Sequence, residues 1–174
     1  MLKTPAPPLA ETGAHGVDPV LFREGMSRVA AAVHVVTTDG PSGPAGFTAT
    51  AVTPVTDSPA SLLVCVNTAA RSAQALLTNR AFCVNVLSAS DRDLADVFAG
   101  RTELHGPARF SKGEWGKLVT GAPALATSLV AFDCRLSDAR VVATHHVIIG
   151  EIVSIRLGET KPALVYQGRL YHGL

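Results

Sequence analysis

The chain has 174 residues, of which 47% are hydrophobic and 17% are charged. This length and apolar content fit one globular domain with a sizeable core. The 15 basic and 14 acidic side chains give a formal net charge of +1, and no run of like charge occurs. The charge pattern therefore argues against a nucleic-acid or membrane partner and favours a small molecule or another protein.

Hydropathy and cysteine content predict the cellular compartment. No apolar stretch approaches the length of a membrane helix, and the proline-rich start lacks the apolar run of a signal peptide. Cys65, Cys83 and Cys134 are odd in number, far apart and set in apolar runs, which favours reduced, buried thiols over disulfides. We therefore expect a cytoplasmic protein.

The N-terminal residues divide into an arm and the start of a domain. Residues 1–17 are rich in Pro, Ala and Gly without periodicity, so we expect a flexible arm followed by a domain over 18–174. Asp18 and Pro19 are typical of a helix start. Four apolar residues recur at helical spacing and predict a face that packs on a sheet: Phe22, Met26, Val29 and Val33.

The rest of the chain has mainly strand patterns. These lie at 34–38, 45–53, 61–66, 82–87, 124–142, 144–157 and 163–171. The two longest are expected to pair antiparallel around a tight connection. One short helix is predicted from Arg71 or Ser72, and another has Ser90 and Asp93 as a capping box and stops at Gly100. Residues 101–122 are predicted to form a surface loop. The pattern favours a mainly β fold, an antiparallel barrel with a few peripheral helices.

The segment GPAGFTATAV at residues 43–52 has threonines and small residues where a strand normally carries large aliphatics. Small residues let a ligand approach the backbone, and a flavin ring needs a flat slot with main-chain N–H groups and nearby hydroxyls. The alternative is that the threonines are ordinary strand formers beside a loop.

A second segment carries the residues of a phosphate site. Asn67 ends a predicted buried strand, and Arg71 and Ser72 follow at the opening of a helix. A helix N-terminus with a hydroxyl and a guanidinium suits a phosphate. The alternative is that Ser72 caps the helix while Arg71 is solvated.

Other common sites are not indicated by the sequence. His145 and His146 are strand neighbours that point to opposite faces, so they cannot chelate one ion, and we expect no metal site. The GxSxG, GxGxxG and GxxxxGK[ST] motifs are absent from the sequence. Covalent hydrolysis and the two common nucleotide cradles are therefore disfavoured.

Taken together, these segments resemble the short-chain flavin reductase family, the reductase components of two-component flavin monooxygenases. The resemblance covers about residues 20–174, and within the family the chain most resembles the pyrimidine-utilisation reductases and the corrin-reducing types. It rests on the stretch from Phe22 to Asn67 and then on FCVNVLS, LADVFAG, TGAPAL, LVAFDCRL, THHVIIGEIV and GRLYHGL, which occur in the family's order.

The resemblance implies a Greek-key split β-barrel that binds FMN, or FAD, near a homodimer interface. Reduction of the flavin by NADH or NADPH and delivery to a partner monooxygenase are implied as well. Carried over by position, the ring and ribityl chain would be lined by Gly46, Phe47, Thr48, Ala49, Thr50 and Thr53, with Cys65, Val66 and Asn67 as the next wall. Arg71 and Ser72 would hold the phosphate.

The resemblance also implies a nicotinamide site. His145 matches a family histidine beside the nicotinamide, and Thr144 replaces the aspartate that precedes it in the family. Arg169 and Tyr171 match residues near the pyridine nucleotide. Two alternatives stay open: a corrin reductase that uses bound flavin, and a non-catalytic flavin-binding electron carrier that would have no use for His145.

Overall fold

The computed structural model describes residues 16–174. Its α-helices are α1 (Pro19–Ser27), α2 (Arg71–Asn79) and α3 (Arg92–Phe98), with 3₁₀ helices at Ala89–Asp91 and Gly106–Ser111. Its strands are β1 (Ala31–Ala32), β2 (His34–Thr38), β3 (Ala45–Ala49), β4 (Val52–Asp57), β5 (Ala60–Asn67), β6 (Ala81–Val86), β7 (Trp115–Lys117), β8 (Pro123–Leu125), β9 (Val130–Val142), β10 (His145–Leu157), β11 (Leu164–Gln167) and β12 (Leu170–Gly173). The predicted arm, residues 1–17, lies outside the described residues except for its last two.

The largest sheet has seven strands in the order β3-β2-β6-β9-β10-β5-β4, and every neighbouring pair is antiparallel. The expected hairpin of β9 and β10 is confirmed, and Ala143 at its turn has a φ of 50°. The main apolar core packs on one face of this sheet and includes Val36, Val64, Phe82 and Ile148. The predicted mainly β, antiparallel split-barrel fold is thus confirmed.

The predicted strand over 45–53 is wrong in one respect, because the chain changes partners at Thr50 and Ala51. β3 pairs with β2, whereas β4 pairs with β5 at the opposite edge of the sheet. Cys65 N donates to Ala51 O at 3.0 Å, which holds the kink against β5. Among the described strands β3 does not pair with β5, and we call the space between them, which is lined by residues 45–51 and 65–67, the split in the barrel.

The prediction that the apolar face of α1 packs on a sheet is wrong. The helix starts as expected, with Asp18 Oδ1 accepting from Val20 N at 2.7 Å, but it ends at Ser27. The next residues enter β1, which pairs with β11 and leads Val33 into the core in an extended conformation. The helix buries no residue, and Phe22 and Met26 are 60% and 52% exposed.

Three smaller predictions are also corrected. The capping box is formed by Ser88 and Asp91 instead of Ser90 and Asp93, since Asp91 Oδ2 accepts from both N and Oγ of Ser88. The predicted loop 101–122 contains a 3₁₀ helix and β7. The predicted strands 124–142 and 163–171 are each interrupted, the second by a turn in which Gly168 and Arg169 have positive φ.

Candidate functional site

A cavity of about 790 Å³ fills the split between β3 and the end of β5. This volume lies within the range of roughly 300–1,000 Å³ that is usual for small-molecule sites. The cavity brings together most of the residues predicted for the site: Gly46, Phe47, Thr48, Ala49, Thr50, Cys65, Val66, Asn67, Arg71, Ser72 and His145.

One border of the cavity is the edge of β3. Among the described strands, only β2 pairs with β3, so the other edge presents main-chain N–H and C=O groups toward the split. A flat polar ring can hydrogen-bond to such an edge as an added strand would. The predicted supply of main-chain donors beside the cavity is therefore consistent with the geometry.

The small residues of β3 also serve the chain itself. A Cβ on Gly46 would lie 2.8 Å from the Phe98 ring, so glycine here admits a side chain of α3. The Thr48 hydroxyl donates to Ala95 O at 2.6 Å. Part of the pattern that predicted a ligand slot is thus explained by the close packing of α3 on β3.

The start of α2 forms an adjacent wall. The residue that caps the helix is Ala70, which has no side-chain oxygen and makes no side-chain cap hydrogen bond. Arg71 is therefore the first helical residue and Ser72 the second, so the alternative that Ser72 caps the helix is wrong. The first-turn N–H groups, the Ser72 hydroxyl and the exposed Arg71 guanidinium together form an arrangement that suits an anion.

His145 lies at the start of β10, opposite Asn67 of β5, and its side chain is exposed at the cavity. Its Nδ1 is 2.9 Å from the Thr144 hydroxyl oxygen. His146 points to the other face, where it is 9% exposed and its Nε2 has no hydrogen-bond partner among the described residues. The two imidazoles are thus on opposite faces, as predicted.

Three predicted site residues do not line the main cavity. Thr53 is exposed in β4. Arg169 borders a second cavity of about 390 Å³ beside α1, and Tyr171 borders a third of about 240 Å³. Thr50 lines all three cavities, so they meet at the kink between β3 and β4.

The sequence prediction missed the wall opposite α2. It consists of Phe98, Ala99, His105, Gly106 and Arg109. Phe110 and Trp115 offered a signal, since large aromatic residues in a supposed surface loop indicate packing. Both rings pack edge-to-face with Phe98, at centroid distances of 5.2 and 5.6 Å, and so fix this segment against α3.

The other titratable groups do not form a second centre. Within residues 16–174, no group of three His, Cys, Asp or Glu residues could hold a metal ion. Burial raises the pKa of the Cys83 thiol to about 12 and raises that of Cys134 as well, whereas Cys65 is half-buried at the cavity. No helix within residues 16–174 is long and apolar enough to span a bilayer.

The family model described as "Flavin reductase like domain" matches residues 26–174. The FMN reductase (NADH) RutF of Stutzerimonas stutzeri is 46% identical over 153 residues, which cover 88% of this chain and 87% of that protein.

Solved structures agree with this result. BorF, the flavin reductase component of a bacterial two-component tryptophan halogenase, is 32% identical with a TM-score of 0.83, covering 90% of this chain and 98% of BorF. An NADH:FAD oxidoreductase of Streptomyces globisporus is 27% identical with a TM-score of 0.83, covering 95% and 98% of the two chains. The family match spans most of the chain and the relatives align over nearly their whole lengths, so this protein belongs to the flavin reductase like domain family.

Proposed function

We propose that the chain is an NADH-dependent FMN reductase that transfers a hydride from the nicotinamide to the flavin. The observation that carries this proposal is the cavity in the split of the barrel, which combines an open strand edge, an uncapped helix N-terminus and His145. The relatives named as FMN reductases (NADH) support both the flavin and the nicotinamide nucleotide.

Each wall of the cavity has a separate task in this proposal. The start of α2, with Arg71 and Ser72, holds the FMN phosphate, and the free edge of β3 holds the ring. His145 orients the nicotinamide, and Cys65 and Asn67 close the site beside it. Bound flavin supplies the electron-accepting ring, so the protein needs little acid–base machinery and contributes mainly positioning.

The proposal is tested by following NADH oxidation by the purified protein with and without added FMN. We expect a rate that depends on FMN and saturates with it. A rate that does not respond to FMN, FAD or riboflavin would refute the reductase assignment. Repeating the measurement with NADPH determines which of the two nucleotides is the donor.

The two alternatives are separated by further additions. Under anaerobic conditions, a corrin reductase would reduce an added cob(II)alamin-like acceptor, whereas an FMN reductase would accumulate reduced flavin. A non-catalytic carrier would bind flavin without oxidising NADH.

Delivery of reduced flavin to a partner monooxygenase is supported by BorF, the reductase component of a two-component halogenase. Location in the cytoplasm stays a prediction.

A homodimer forms part of the proposal. Soluble monomers rarely expose large apolar patches, yet α1 and its flank expose Val20, Leu21, Phe22, Met26 and Val29 at 46–63%. Met26 and Val29 also line the cavity beside α1, which shares Thr50 and Ala51 with the main cavity. We infer that a second copy covers this apolar face and thereby borders the flavin site.

Light scattering at micromolar protein concentration tests the dimer. We expect twice the 18.1 kDa mass of the chain. Phe22→Ser should shift the equilibrium toward monomer, whereas Arg140→Ser, an exposed change on β9, should not. A monomer mass for the wild-type protein with FMN bound and full activity would refute the dimer.

A further inference from the structure

Arg109 is a half-buried cation in the main cavity without a carboxylate partner. It belongs to the 3₁₀ helix Gly106–Ser111, and its guanidinium is held by two main-chain carbonyls. Nε donates to Leu104 O at 3.3 Å and Nη1 donates to Gly46 O at 3.4 Å. None of the ion pairs within residues 16–174 involves Arg109. A positioned guanidinium with unused donors in a ligand cavity is suited to bind an anion.

Arg109 and Arg71 come from opposite sides of β3. α2 packs on the face of β3 that carries Phe47 and Ala49, because these residues share a core cluster with Ala73 and Leu76 of α2. The segment that carries Arg109 packs on the other face, where Phe98 meets Gly46. The proposed FMN phosphate lies on the Arg71 wall, so the Arg109 wall is available to a second anionic group.

The Arg109 wall continues beyond the main cavity. Thr48, Thr50 and Ala99 line both the main cavity and the cavity of about 240 Å³ that contains Arg101 and Tyr171. An elongated ligand can therefore extend from the split along residues 99–109. His105, which is exposed and lines the same cavity four residues before Arg109, can offer an imidazole N–H to the same ligand.

From this geometry we propose that Arg109 binds the pyrophosphate of a dinucleotide, with His105 beside it. The inference rests on the proposed function and adds a recognition residue to it. Two sources carry this group, the nicotinamide dinucleotide and FAD. Both present adjacent phosphates that a guanidinium can contact through two parallel N–H groups.

The test compares each dinucleotide with its mononucleotide. If the pyrophosphate is that of NADH, Arg109→Ala should lower kcat/KM for NADH by about ten- to a hundredfold, mainly through KM, and change that for reduced nicotinamide mononucleotide by less than about twofold. Calorimetric titration of the FMN-loaded protein with NAD⁺ should show a similar loss of affinity without turnover. Flavin fluorescence with FAD and with FMN measures whether the pyrophosphate of FAD uses the same residue.

Two further variants keep the test interpretable. Lys112→Ala removes an exposed charge at the end of the same 3₁₀ helix but outside the cavity lining. It should change neither the preference in kcat/KM for NADH over reduced nicotinamide mononucleotide nor the relative affinity for FAD and FMN. Arg109→Lys keeps the charge and loses the two-pronged contact, so it should show a smaller loss of the same selectivity, and it replaces the alanine variant if that variant fails to fold.

A selective loss for NAD(H) identifies the nicotinamide dinucleotide as the ligand, and a selective loss for FAD identifies the flavin. The inference would be overturned if Arg109→Ala affected NADH and reduced nicotinamide mononucleotide equally and also affected FAD and FMN equally. The absence of any effect would overturn it as well. If the wild-type protein shows no FMN-dependent NADH oxidation, the proposed function fails by itself. The FAD and FMN comparison then still tests Arg109.

Discussion

The Thr144 hydroxyl oxygen lies 2.9 Å from Nδ1 of His145, at the mouth of the cavity in the split barrel. A threonine hydroxyl can donate or accept, whereas the aspartate expected at this position from the family resemblance only accepts when ionised. The contact can therefore orient the imidazole despite the replacement, and it bears on the proposed role of His145 in orienting the nicotinamide.

His145→Ala should lower the rate of NADH oxidation by about ten- to a hundredfold, because a misplaced nicotinamide no longer stacks in a reactive geometry. Thr144→Val should cost about two- to tenfold, the value of one net hydrogen bond, and Thr144→Asp should keep most of the rate. FMN affinity, followed by fluorescence, should change little in all three. An unchanged NADH rate in His145→Ala would remove His145 from the nicotinamide site.

Arg71→Ala should weaken FMN binding by about ten- to a hundredfold, since charge-assisted hydrogen bonds contribute about 1.5–3 kcal/mol and one decade in affinity is about 1.4 kcal/mol. Riboflavin, which lacks the phosphate, should bind the variant almost as it binds the wild type. Fluorescence titrations with both ligands make the comparison. Equal losses for the two, or none, would mean that the phosphate is held elsewhere.

Only Cys65 should react quickly with a thiol reagent in the native protein. Cys83 and Cys134 are fully buried, and burial raises the pKa of both thiols, whereas Cys65 is half-buried at the cavity. Absorbance titration with a disulfide reagent at about pH 8 should count one fast thiol, and all three after denaturation. FMN should slow the fast reaction, and Cys65→Ser should abolish it. Labelling that is indifferent to FMN would argue against a flavin beside Cys65.

Gly46→Ala should destabilise the fold by about 1–3 kcal/mol, because the new methyl group would lie 2.8 Å from the Phe98 ring. Gly25→Ala is the matched control, since its added methyl group would meet no heavy atom within 4 Å apart from its chain neighbours and the backbone of its own helix. That change lies in α1 and should stabilise by about 0.5–1 kcal/mol. Urea unfolding measures both free energies. If Gly46→Ala is neutral, the contact of Phe98 with β3 is not what requires glycine.

The free energy of unfolding should fall as the pH drops below about 6.5. Burial lowers the pKa of His34 from 6.5, although hydrogen bonds to the Ala49 and Ala32 backbones oppose the shift. Below that pH the unfolded chain binds a proton at His34 that the folded protein does not bind. The contribution of neutral, buried His34 to the free energy of unfolding is therefore complete above the unfolded pKa and is lost as the pH falls through the folded pKa. The slope for one proton is at most about 1.4 kcal/mol per pH unit.

His34→Gln should flatten this part of the pH dependence in urea unfolding between about pH 8 and pH 5, because glutamine does not titrate. Its Ala49 contact, 3.3 Å from His34 Nδ1 to the carbonyl oxygen in the wild type, can be kept by the amide group. A slope that is the same in the variant and the wild type would assign the pH dependence to other groups.

Local features of the sequence determined much of the fold and part of the site. Strand alternation placed His145 and His146 on opposite faces, and the types of residue at the start of α2 predicted an anion site there, because both depend on spacing within one element. The β9–β10 hairpin followed from the length of its two apolar patterns. The flavin assignment itself came from the family resemblance.

Other features depended on which elements meet in space. The apolar spacing of α1 predicted a buried face, but the chain enters β1 directly afterwards and leaves that face exposed. The strand from 45 to 53 breaks because β3 and β4 have partners at opposite edges of the sheet, which nothing in its residues indicates. Arg109 lies in a segment without periodicity, and the aromatic packing of Phe110 and Trp115 on Phe98 helps to fix this segment beside the cavity. The exposed face of α1, the break between β3 and β4 and the position of Arg109 are determined by contacts between residues far apart in sequence. Local sequence patterns do not contain this information.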